Sequence, residues 1–83
     1  MDKVLIDLFV PAIGMHFDVF IPEFMQIKTI CELLGKAVVE LSEEQYVSSE
    51  QEVLCSVEMQ LVLDCEKTLE DYNVQNGDTL MLC

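Results

Sequence analysis

Two runs of alternating apolar residues open the chain and predict a β-hairpin. Residues 4–10 and 16–21 are rich in β-branched and aromatic side chains, a composition typical of strands. The PAIG segment between them carries the proline and glycine of a turn. In the second run the odd-numbered positions are apolar, whereas His16, Asp18 and Phe20 share the other face. One face of the predicted sheet should therefore meet solvent.

After Pro22 the period changes to three and four residues, which predicts an amphipathic helix over residues 27–41. Gly35 lies inside this helix, where glycine costs up to about 1 kcal/mol relative to alanine. We expect Gly35 to mark a close approach of the helix to the sheet. Residues 42–52 are polar and acidic without a strong period, so they predict a surface loop with at most one further helical turn.

Strand character returns at residues 53–59 and again at residues 61–63, with Gln60 as a bend between them. The sequence TLEDYNVQNGDTLML then occupies residues 68–82. Thr68 can cap a short helical turn through Asp71, and the asparagines and glycine that follow favour turns before a closing strand. Tyr72 should find a backbone partner for its hydroxyl, because a buried phenol needs a hydrogen bond.

The same stretch closely resembles the part of ubiquitin that runs from its short second helix into its last strand. The resemblance is carried by Thr68, Leu69, Asp71, Tyr72 and Asn73, and the turn that follows them contains Gly77. The upstream order of hairpin, helix and strands agrees as well. The resemblance implies one ubiquitin-like domain over residues 1–83, of the α+β class, in which a mixed β-grasp sheet of four to five strands packs on one main helix.

Within that superfamily the chain is most similar to the bacterial YukD/EsaB proteins, the small ubiquitin-like components of type VII (ESX-type) secretion systems. The shared features are IDL in the first strand, FDVxI in the second and NGD before the last. The resemblance implies a non-catalytic, cytosolic accessory protein. Its partners would be other proteins, namely membrane-embedded or ATPase subunits of the secretion machine.

Sixteen acidic residues against four lysines and no arginine give a net charge of −12. Nucleic acids and anionic membranes are poor partners for such a chain, because it lacks the groups that neutralise phosphates. A basic protein surface is a better match, although solubility alone also accounts for the acidity. No apolar run approaches the about 20 residues of a membrane span, and no secretion signal precedes the first strand. These features predict a cytoplasmic protein that does not insert into the membrane.

Ubiquitin and the sulfur carriers MoaD and ThiS act through a tail that ends in Gly-Gly, whereas this sequence stops at Cys83. We therefore expect no conjugation chemistry; the alternative is a modifier or sulfur carrier whose tail lies outside this sequence. No basic residue near Cys83 in sequence would activate its thiol. His16 starts a strand away from any cysteine, and the four cysteines are too widely spaced for a zinc site. We predict no catalytic residue, metal, cofactor or disulfide.

The outward positions of the strands instead predict a protein-interaction surface. Its apolar members are Leu5, Phe9, Phe20, Met81 and Cys83, with Asp7 between them and either Ser56 or Val57 from the third strand. By resemblance, Met81 and Cys83 fall within ubiquitin's main recognition patch. The alternative is that Phe9 and Phe20 pack under the hairpin loop or over a sheet edge. The acidic residues 43–52 are a second candidate surface, for which a solvated linker is the favoured alternative. The exposed sheet edges would also allow a homodimer.

Overall fold

One five-stranded sheet and one α-helix make up the fold in the computed structural model, which describes residues 2–83. The elements follow in the order β1 (Lys3–Val10), β2 (Met15–Pro22), α1 (Ile27–Leu41), β3 (Leu54–Ser56), β4 (Leu61–Val62), a 3₁₀ turn (Glu70–Tyr72) and β5 (Thr79–Leu82). In space the strand order is β2-β1-β5-β3-β4. Strands β1 and β5 are parallel, and the other neighbouring pairs are antiparallel. The predicted α+β class and mixed sheet are confirmed.

The hydrophobic core lies between α1 and the inner face of the sheet. Every second residue of β1 points into it, and Leu80 and Leu82 of β5 are completely buried beside them. The helix contributes the residues that recur at three and four positions, among them Ile27, Ile30 and Val38. The change from period two to period three and four in the sequence therefore corresponds to two surfaces that bury each other.

A four-residue loop joins β1 to β2 and fixes their register. The Ile13 N–H donates to the Val10 carbonyl at 3.2 Å and the Gly14 N–H to the Pro11 carbonyl at 3.2 Å. Gly14 has φ of 63°, and a Cβ atom there would meet nothing within 4 Å. Glycine is favoured at this position by the left-handed backbone and not by a lack of space.

The third strand is shorter than the sequence predicts. Strand β3 ends at Ser56, and the chain turns between residues 57 and 60 because the Met59 N–H donates to Ser56 Oγ at 3.1 Å. Gln60 has φ of 56°, which confirms the predicted bend. The antiparallel partner β4 holds only Leu61 and Val62.

The segment before β5 is tied down by side-chain hydrogen bonds. Thr68 and Asp71 each accept a hydrogen bond from the other's backbone N–H, at 3.2 and 3.0 Å. The Tyr72 hydroxyl accepts the Asp64 N–H at 2.8 Å, which is a backbone partner of the kind predicted for it. Asn73 adopts a left-handed backbone with φ of 55°, and Gly77 follows with φ of 91°. The Gly77 N–H then donates to the Leu5 carbonyl at 2.8 Å, which places the start of β5 beside β1.

Helix α1 ends without the further helical turn that the sequence allowed. Glu43 and Glu44 follow it with φ of 53° and 68°, and the Glu44 N–H donates back to the Val39 carbonyl at 2.8 Å. The left-handed backbone stops the helix and sends the chain back along it. Within residues 2–83 no helix has the length and apolar character to cross a membrane.

Candidate interaction surface

The outer face of the sheet collects the predicted interaction residues. Phe20 of β2 lies opposite Leu5 of β1, and Phe9 of β1 lies beside Met81 of β5. Cys83 continues past Met81 and is exposed, with its backbone paired to Val53 at 3.0 Å in both directions. The structure therefore brings all five predicted residues to one face, which we call the outer face.

Phe9 and Phe20 differ in their surroundings. The Phe9 ring stacks on the His16 ring, with centroids 4.5 Å apart and planes at 24°. Nδ1 of His16 lies 2.9 Å from an Asp7 carboxylate oxygen, and this contact orients the imidazole. Phe20 keeps 68% of its surface exposed. Phe9 is thus covered by His16 on the sheet surface, whereas Phe20 is largely exposed and lines a shallow apolar pocket with Met25 and Leu33 at the edge of the sheet.

The prediction for the third strand needs correction. Ser56 is only 3% exposed and lies opposite Leu80 on the inner face, because the antiparallel register between β3 and β5 sets it there. Cys55 is the outward residue of β3 and pairs with Met81. Val57 is exposed but follows the end of the strand. Alternation from the buried Leu54 was the signal that could have identified Cys55.

Two acidic residues lie between the apolar residues of the hairpin on the outer face. Asp7 and Asp18 are directly opposite each other on β1 and β2. Asp7 is contacted by His16 and, at 3.4 Å, by the hydroxyl of Thr79. The outer face therefore consists of an acidic centre between apolar flanks.

Two cysteines, Cys55 on the outer face and Cys31 in the core, are poor nucleophiles. Burial, followed by the neighbouring Cys83 thiol, raises the pKa of Cys55. Burial and the charge of Glu52 raise the pKa of the core residue Cys31 to about 11. Both thiols stay protonated at neutral pH, whereas the thiolate is the reactive form. Among the residues that the structure describes, no group of three or more potential ligands could hold a metal ion.

The acidic loop that was the second candidate surface is held by one carboxylate. Glu52 Oε2 accepts hydrogen bonds from the Tyr46 hydroxyl at 2.8 Å, the Ser48 hydroxyl at 2.7 Å and the Ser49 N–H at 3.1 Å. Burial alone would raise the pKa of Glu52, but the hydrogen bonds from Ser48 and Tyr46 outweigh it and lower that pKa. Tyr46 is 6% exposed and joins the core. Tyr46 and Glu52 therefore anchor this segment, while most of its other residues are exposed.

Gly35 allows this loop to approach the helix. A Cβ atom at residue 35 would lie 3.1 Å from both Glu52 Oε2 and Ser48 Oγ. The predicted close approach at Gly35 exists, but it is to the loop and not to the sheet. Beside it runs an open groove of about 470 Å³. Its lining includes Glu32, Lys36, Glu40 and Glu50.

Comparison with known proteins identifies the fold. No family profile matches the sequence, and no curated protein sequence matches it either. The ubiquitin-like domain of EccD5 from Mycobacterium xenopi superposes with a TM-score of 0.81 at 20% identity, over 100% of this chain and 94% of that one. The chain has the ubiquitin-like fold. The ubiquitin-like domain of the type VII secretion protein EccD1 from Mycobacterium tuberculosis matches with a TM-score of 0.80 at 15% identity, over 99% and 98% of the two chains.

A third match comes from a membrane assembly. A chain of the MycP5-free ESX-5 inner membrane complex superposes with a TM-score of 0.82 at 18% identity, and the match spans 100% of this chain but 21% of that chain. At these identities the likeness shows the fold alone. The predicted ubiquitin-like fold is confirmed, whereas the narrower similarity to YukD/EsaB proteins stays a prediction.

Proposed function

We propose that this domain is a non-catalytic protein-interaction module of a bacterial type VII secretion machine, of the YukD/EsaB kind, and that it docks through its outer face. The observation that carries the proposal is the exposure of large apolar residues on a rigid sheet, with Phe20 68% exposed. Surfaces of that composition are typical of protein-binding sites. The proposed setting is the cytoplasm, with membrane-embedded or ATPase subunits of the machine as partners.

One row of apolar residues on the outer face is contiguous, as in a binding site. In one row across the sheet, Phe9 neighbours Met81, Met81 neighbours Cys55, and Cys55 neighbours Val62. A second apolar pair, Phe20 and Leu5, lies further along β2 and β1. Strand pairing fixes the backbone beneath these side chains, so binding does not have to order the backbone.

Two of the three structural matches support the secretion setting by their descriptions. One is a domain of a type VII secretion protein, and the other belongs to an ESX-5 inner membrane complex. The charge of −12 supports a basic protein partner.

Affinity capture from the native cytosol and membranes tests this proposal. The domain should recover secretion-machine subunits, and Phe20→Ser should lose them while keeping its circular dichroism spectrum, because Phe20 is exposed and contributes little to the core. Leu41→Ser is the matched control, since Leu41 is an exposed apolar residue at the end of α1. Undiminished capture by folded Phe20→Ser and Met81→Ser variants would contradict the proposal.

A further inference from the structure

One of the two opposed carboxylates on the outer face has no partner within residues 2–83. Asp7 and Asp18 are cross-strand partners, and like charges directly opposite each other destabilise a sheet. The carboxylate of Asp7 contacts His16 and Thr79. Asp18 is exposed and, within residues 2–83, has neither a side-chain hydrogen bond nor an ion pair. The fold leaves a repulsive pair on its surface.

The lysines of the chain do not neutralise this pair. Lys28 is 3.6 Å from Glu66, and Lys67 lies over the Tyr72 ring at 5.7 Å from its centroid. Lys36 belongs to α1, and Lys3 lies opposite Pro22 at the far end of the hairpin. His16 lies two residues from Asp18 on the same strand, but its Nδ1 contacts Asp7. Within residues 2–83 no lysine or histidine side chain pairs with Asp18.

Apolar residues flank the acidic pair on both sides along β1 and on one side along β2, where His16 occupies the other side. Phe20 and Leu5 lie two residues away in one direction, and His16 and Phe9 lie two residues away in the other. Two residues of a strand span about 7 Å. Along the hairpin the surface therefore changes from apolar to acidic and back to apolar over distances that the side chains of one short segment can cover.

We propose that the outer face binds a partner segment that carries a lysine or arginine between two apolar side chains, with the cation placed over the Asp7–Asp18 pair. This inference rests on the proposed function and names the chemistry of its partner. The apolar side chains would cover Phe20 and Phe9, and their contact would exclude water from around the new ion pair. A partly desolvated ion pair contributes more to binding than one in bulk water. The charge of −12 also attracts a basic segment before contact.

Selection of peptides from a displayed library of random 12-residue sequences on the immobilised domain tests this inference. The selected peptides should carry lysine or arginine flanked by apolar residues. Asp18→Asn should weaken their binding about tenfold, as expected when one member of a close charge pair is removed. Glu40→Gln is the matched control, because it removes the same charge from an exposed position on α1, remote from the outer face; it should change binding less than twofold. Asp18→Glu should retain binding.

The outcomes separate this inference from the proposed function. If Phe20→Ser abolishes peptide binding while Asp18→Asn and Glu40→Gln behave alike, the outer face binds proteins but the inferred cation is wrong. Selected peptides without lysine or arginine would overturn the inference in the same way. If neither Phe20→Ser nor Asp18→Asn affects the selected peptides, the outer face is not the binding surface and both proposals fail.

Discussion

The loop after α1 and the outer face of the sheet differ in how their carboxylates are partnered. In the loop, the Glu52 carboxylate accepts hydrogen bonds from Tyr46, Ser48 and the backbone of Ser49. On the outer face, Asp18 faces Asp7 and has no side-chain partner within the described part of the chain. A carboxylate surrounded by donors stabilises the fold, whereas one that opposes another carboxylate is available to a partner. The two regions therefore separate acidic groups that have partners within the domain from those that are left to the proposed partner.

Substituting the aromatic residues of the two regions should give the largest difference in the free energy of unfolding. Tyr46 is buried, so Tyr46→Ala should lower the free energy of unfolding by about 3 kcal/mol. Phe20 is exposed, so Phe20→Ala should change that free energy by less than about 0.5 kcal/mol. Urea denaturation followed by circular dichroism measures both values. Equal losses in the two variants would remove the distinction between the packed loop and the free face.

The pH dependence of stability should reveal the Glu52 hydrogen bonds. The pKa of Glu52 is lowered in the folded state, so its contribution is complete above the unfolded pKa and is lost as the pH falls through the folded one. Hydrogen bonds to a charged group typically contribute about 1.5 to 3 kcal/mol, and the burial of Glu52 offsets part of this. The free energy of unfolding should fall less between about pH 5 and pH 3 in Glu52→Gln than in the native chain.

Glu40→Gln is the control for this measurement, because Glu40 is an exposed residue of α1. Its curve of unfolding free energy against pH should follow that of the native chain. Parallel curves for the native chain and Glu52→Gln would show that Glu52 does not hold the loop through its charge.

The smallest expected effect concerns the acidic pair. Asp18→Asn should raise the free energy of unfolding by about 0.3 kcal/mol, because it removes a cross-strand repulsion from Asp7. The gain should nearly vanish in 1 M salt, where the Debye length is about 3 Å. Urea denaturation at low and high salt measures it, with Glu40→Gln again as the reference. A loss of stability in Asp18→Asn would indicate that Asp18 already has a stabilising partner within the domain.

Local patterns in the sequence were sufficient for most of the fold. The helix was predicted at its observed bounds, Ile27–Leu41, because its apolar stripe has a continuous period. The hairpin followed from two alternating runs and a four-residue loop. That loop also fixes the register, so the opposition of Asp7 and Asp18 could have been predicted from the sequence by counting outward from the turn.

Contacts between distant parts of the chain could not be predicted in this way. The face on which Cys55 lies follows from alternation with Leu54, but the contact of Cys55 with Met81 depends on how β3 pairs with β5, which no local pattern specifies. The loop after α1 contains one aromatic residue among polar ones, so Tyr46 carries no periodic signal of burial. In the sequence, Glu52 cannot be distinguished from the other acidic residues of its segment, because its role depends on the side chains that surround it in the fold.

The parallel pairing of β1 with β5 has a consequence for how this protein folds. These strands are neighbours at the centre of the sheet, and the Leu5 N–H bonds to the side chain of Asn76, 71 residues away in sequence. Pairings across such separations form slowly, because the loop must close before they contribute any stability. During synthesis the hairpin and α1 can form early, but the sheet cannot close until Thr79–Leu82 has left the ribosome. Until then one edge of β1 stays unpaired, and this interval is when the nascent chain is most exposed to aggregation and to chaperones.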